Sequence, residues 1–73
     1  MLFINWKKTM DNLASALAFN QVKKVDFAHA IGVSPQSLSR YLKCQDTPSA
    51  QTFARMQKEI NFQVVWIHTN TRG

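Results

Sequence analysis

Only two glycines occur in the 73 residues, Gly32 and the C-terminal Gly73, and the internal one lies in the run Ile31-Gly32-Val33-Ser34-Pro35. A glycine directly after an apolar helical stretch takes the left-handed conformation that ends a helix, because no Cβ opposes it. Ser34-Pro35 starts another helix at once. The serine oxygen caps the first N–H groups, and proline at the first helical position gives up no needed donor. A stop and a start this close exclude one continuous helix. They make two short helices meet across a tight turn, with Val33 as an apolar plug at the bend.

The flanks fit that turn. A helix from Lys24 to Ile31 buries Phe27, Ala28 and Ile31; the next runs from Pro35 to about Leu42. Leu38, Tyr41 and Leu42 share one face of it, and Pro35, Gln36, Ser39, Arg40 and Lys43 the opposite one. Ala28 is small where the second of these helices crosses the first, and Val33 and Leu38 fill the angle between them. Two short helices joined by a turn of three to four residues containing Gly describe a helix-turn-helix over 24–43. Upstream, Trp6, Met10, Leu13 and Leu17 form one stripe of an amphipathic helix over about 5–19, with Asn5 as its N-cap. Residues 20–23 connect it to the pair. Residues 43–48 form a polar loop, and Ser49 caps a helix of about 50–60 with Phe53, Met56 and Ile60 on its core stripe and Asn61 as its stop. The β-branched and aromatic content of Phe62–Thr69 favours a strand.

A chain of this length makes one domain, 1–73, with a small core. Its apolar share of 45% suits a folded domain. The single cysteine, Cys44, allows no internal disulfide and points to a reducing, cytoplasmic setting. Association into dimers is the remaining source of stability. Nine Lys and Arg against four Asp and Glu give a net charge of +5, which suits a polyanion. The apolar runs Met1–Ile4 and Val64–Ile67 fall far short of the roughly 20 residues of a spanning helix, and no targeting segment is expected. His29, His68 and Cys44 lack metal-ligand spacing. The carboxylates Asp11, Asp26, Asp46 and Glu59 are scattered, the serines 34, 37 and 39 are polar helix positions, and no Gly-rich loop cradles phosphate. No enzyme, cofactor, metal or small-molecule ligand is therefore expected.

Phe27-Ala28, Ile31-Gly32-Val33-Ser34, Leu38-Ser39-Arg40-Tyr41, Pro48-Ser49, Phe53, Met56, Ile60 and Trp66 together resemble the Cro/lambda-repressor family of bacterial and phage regulators. The resemblance runs without a gap from about Leu13 to Thr69. It implies an all-α, compact four- to five-helix bundle, lambda repressor-like, which binds a two-fold DNA operator as a homodimer in a phage or prophage setting. It also implies a short fifth helix over 62–69, which is the expectation adopted for the tail, with a short C-terminal strand as the alternative. The chain departs from the family pattern in four places. Lys23 and Lys24 stand where Gln or Thr is common, Cys44 where Gly is common, and Gln63 where a capping Ser is usual. Met1–Ile4 lies outside the match, to pack on the tail or join the dimer contact.

These readings converge on a sequence-specific double-stranded DNA-binding transcriptional regulator, a Cro-like repressor that reads the major groove with helix 35–42. Gln pairs bidentately with adenine and Arg with guanine, so Gln36 and Arg40 are candidate base contacts, with Pro35 and Ser39 beside them. Lys24, Ser34, Ser37 and Lys43 are candidate phosphate contacts. Phe62, Val64, Trp66 and Ile67 are the candidate dimer interface. Lys7, Lys8, Arg55 and Lys58 read as solvated helix faces, and His29 as an exposed polar residue. Two alternatives use the same fold: an antitoxin-type autorepressor that also binds a protein toxin, and a protein-interaction adaptor that has lost DNA binding. A third alternative, a membrane-surface peptide led by residues 1–8, conflicts with the folded turn at Gly32–Pro35.

Overall fold

The computed structural model describes residues 2–68. In chain order the elements are β1 (Leu2–Ile4), α1 (Trp6–Phe19), α2 (Lys24–Ile31), α3 (Pro35–Leu42), α4 (Ala50–Glu59) and β2 (Trp66–His68). The protein is mostly helical, with a short antiparallel two-stranded sheet. Each helix start follows its local chemistry. Asn5, Ser34 and Ser49 are extended N-caps whose side chains accept hydrogen bonds from the backbone N–H groups of Lys8, Ser37 and Thr52. Lys23, before α2, has no oxygen to offer, and that helix start carries no side-chain cap.

The first three helices end alike, although only one of them has a glycine. Gln21 (φ 56°), Gly32 (φ 78°) and Cys44 (φ 59°) adopt the left-handed conformation. The N–H of the next residue then reaches back five positions to a free helix carbonyl. Val22 donates to Leu17 at 2.8 Å, Val33 to Ala28 at 3.0 Å and Gln45 to Arg40 at 2.9 Å. The reversal turns Val22 and Val33 onto the core. The loop after α3 therefore keeps the glycine-type ending with a cysteine in the glycine position.

The core comprises Met10, Leu13, Leu17, Phe27, Ala28, Ile31, Leu38 and Met56, drawn from all four helices. Ala28 is fully buried, as a close crossing of α2 and α3 demands. Trp6, Phe53 and Phe62 close one side in two edge-to-face contacts, with ring centroids 5.0 Å and 6.1 Å apart. Helix α4 ends one residue earlier than its periodicity suggests, with Ile60 as an extended C-cap.

The fifth helix does not form. Residues 61–65 carry no regular secondary structure and Trp66–His68 is a strand, so the observed tail is the strand alternative. The tail's backbone groups are already engaged. The Asn5 N–H donates to Val65 O at 2.7 Å. The Thr9 hydroxyl accepts from Val65 N–H at 2.9 Å, and the Asn12 amide donates to Gln63 O at 3.0 Å. The β1–β2 register is Leu2↔His68, Phe3↔Ile67 and Ile4↔Trp66. Thr9 is fully buried on the stripe of α1, where its hydroxyl satisfies a tail N–H that a packed helix face would leave unpaired. Thus Met1–Ile4 packs on the tail through Leu2–Ile4; Met1 itself and Thr69 lie outside the described residues. Among the described residues, no helix is long and apolar enough to cross a membrane.

Candidate nucleic-acid interface

Leu38 is fully buried and sets the rotation of α3. At about 100° per residue, Pro35, Ser39, Lys43, Gln36 and Arg40 then fall on one continuous arc that starts beside Leu38 at Pro35 and reaches the opposite side at Lys43, Gln36 and Arg40. Pro35, Gln36, Arg40 and Lys43 are exposed, and Ser39, within the arc, is half-buried. Tyr41 and Leu42 are half-buried against the core, as their face requires. The four candidate base contacts are thus on one solvent-facing surface of a single rigid helix. Lys43, the C-cap of α3, closes that surface at its far end.

The candidate phosphate contacts separate by their hydrogen bonds. Ser34 Oγ accepts from Ser37 N–H at 3.1 Å, and the two hydroxyls are 3.0 Å apart. With Ser34 donating to Ser37, the only hydroxyl proton of Ser34 is used and that of Ser37 remains free. Ser34 is therefore an N-cap first, and Ser37 is the better donor to a phosphate oxygen. Lys24 is the exposed first residue of α2, beside the uncapped N–H groups of that helix. Unsatisfied N–H groups with a neighbouring ammonium suit an anion. Among the described residues the ion pair present is Lys7–Asp11, at 3.5 Å on the exposed face of α1. Lys24, Arg40 and Lys43 meet no carboxylate there, so their charges are not offset locally.

Arg55 is exposed, as expected, but its head group also makes a contact with the turn. Its guanidinium lies over Gly32, 2.9 Å from where a Cβ would stand, and Nη1 is 3.5 Å from Ile31 O. A cation there complements the negative end of α2 and ties α4 to the turn that orients α3. The sequence carries no spacing signal for this contact, because α2 and α4 are remote in the chain.

The candidate dimer residues divide as well. Phe62 meets Phe53 edge-to-face and is half-buried, as is Val64, so Phe62 serves this chain's own core. Trp66 and Ile67 are exposed on β2, and Leu2 and Phe3 join them from β1; all four are 45–58% exposed. Phe3 and Ile67 share one face of the ribbon, and Ile4 and Trp66 the other. Trp66 therefore does not close the core. The sequence left open that Met1–Ile4 packs on the tail; the antiparallel pairing and its register are long-range features that it did not specify. Comparison with known protein families, with curated proteins and with solved structures gave no match.

Proposed function

We infer that the protein is a sequence-specific double-stranded DNA-binding regulator that places α3 in the major groove. The observation carrying this reading is the exposed arc Pro35–Gln36–Ser39–Arg40–Lys43 on a short helix held against α2 by a left-handed Gly32. Two short helices in that relation make a helix-turn-helix, whose second helix presents its N-terminal half to base edges. Gln36 and Arg40, one turn apart, supply the two side chains best suited to adenine and guanine. Lys24 and Ser37 stand near the helix starts and Lys43 at the helix end, as phosphate contacts on either side. The net charge of +5 adds a general attraction to the polyanion. The similarity to Cro-like repressors noted in the sequence agrees with this reading, with repression by occlusion of a promoter as the simplest mechanism.

The working unit is a homodimer on a two-fold operator. Its interface is the open edge of the ribbon, flanked by the exposed apolar side chains of Leu2 and Trp66 on one face and of Phe3 and Ile67 on the other, which suits a second copy. Val64 and Phe62 are half-buried in the segment that leads into β2.

Titration of duplex DNA at several salt concentrations tests the reading. Two lysine–phosphate contacts per subunit give a log–log slope of about −2 for one subunit and about −4 for a pair. A binding constant indifferent to salt would remove the proposal.

A further inference from the structure

We propose that a hollow between the end of α1, α2 and the end of α4 is a docking site for a basic, amphipathic peptide segment of a partner protein. The hollow measures about 330 Å³, at the lower end of ligand-sized cavities of about 300–1,000 Å³. Its apolar part is built by Val22, Phe27 and Ile60; Asp26, Ala30 and Glu59 are exposed around it. No residue of α3 lines it, and neither does any lysine or arginine of the described chain.

Charge is what selects the occupant. The protein carries only four carboxylates against nine Lys and Arg, yet two of the four border this one hollow. Neither forms an ion pair among the described residues. Asp26 lies in the first turn of α2, where a negative charge favours the helix. Glu59 is the last residue of α4, where the same dipole disfavours it. The helix dipole therefore does not favour Glu59 at this exposed position, whereas a cationic occupant would. An arginine or lysine has an apolar stem and a charged head. Its stem covers Val22, Phe27 and Ile60 while its head reaches the two carboxylates, with arginine favoured by its bidentate geometry. An apolar neighbour on the same segment completes the burial. This inference does not rest on the DNA-binding reading, and the site leaves α3 free.

Selection of random-sequence displayed peptides on the full chain tests it, with counter-selection against Ala30→Arg. That variant places a guanidinium from the exposed wall of the hollow beside its own carboxylates. The expected result is an enriched set carrying Arg or Lys beside an apolar residue. Synthetic peptides of that set, followed by fluorescence anisotropy, should bind Asp26→Asn/Glu59→Gln about tenfold more weakly than wild type, and Ala30→Arg not at all. Glu59→Gln alone, at an exposed helix end, should weaken binding several-fold and keeps the test decisive if the double variant melts early. No enriched set, enrichment without basic residues, or unchanged affinity for the carboxylate variants would overturn the proposal. Failure to bind duplex DNA would leave it standing.

Discussion

Two substitutions at left-handed positions should shift stability in opposite directions. Gly32 and Cys44 play the same part after α2 and α3, with φ of 78° and 59°. A side chain in this conformation costs roughly 1–2 kcal/mol, against which a non-glycine residue recovers about 0.4–1 kcal/mol by stiffening the unfolded chain. Cys44 is exposed and free, so Cys44→Gly forfeits little burial and should stabilise by about 0.5–1 kcal/mol, the difference of those two terms. Gly32→Ala meets the strain and also sets a Cβ 2.9 Å from the Arg55 guanidinium. Arg55 must swing away and lose its contact with Ile31 O, so the net loss should be about 1–2 kcal/mol. In a domain of this size 1 kcal/mol moves the melting temperature by roughly 4–8 °C. Thermal unfolding of the wild type and both variants by circular dichroism reads this out. Destabilisation by Cys44→Gly, or a neutral Gly32→Ala, would refute the left-handed endings on which the α2–α3 angle depends.

The interface makes its own predictions. Arg40→Ala should cost about 1–3 kcal/mol on the preferred duplex and relax selectivity at one base pair per half-site, whereas Lys43→Ala should weaken all duplexes alike and lower the salt slope by about one; affinities for single-base variants of the site decide, and the reverse pattern would misplace α3. Trp66→Ala, at a side chain 55% exposed, should leave the chain folded but monomeric with weaker duplex affinity, as sedimentation and a thermal melt would show; a wild type that stays monomeric on DNA contradicts the ribbon interface. Thr9→Val keeps the shape but strands the Val65 N–H, a loss of about 1–3 kcal/mol in denaturant titration, and an unperturbed midpoint would mean that Thr9 does not anchor the tail.

The helices were legible because their signals are local. Asn5, Ser34-Pro35, Gly32 and Ser49 mark helix ends within one turn of themselves, and the Trp6–Met10–Leu13–Leu17 stripe repeats within one element. The tail was not legible for the opposite reason. Phe62–His68 has strand composition, but its conformation is set by Asn5, Thr9, Asn12 and β1, more than fifty residues away in the chain. Within the candidate interface, the exposed face of α3 followed from Leu38 and helical periodicity. The hydrogen bonds between Ser34 and Ser37 and the placement of Arg55 over Gly32 needed coordinates, since they depend on rotamers and on packing between elements.

Selection of bound duplexes from a random pool, followed by affinity measurement on the enriched site, puts the DNA-reading function itself to the test. The expected outcome is one enriched two-fold motif whose half-sites each contain a guanine and an adenine matched to Arg40 and Gln36, bound at least about a thousandfold more tightly than random duplex. A pool that emerges without a preferred sequence, while the protein remains folded, would contradict a DNA-reading role for α3.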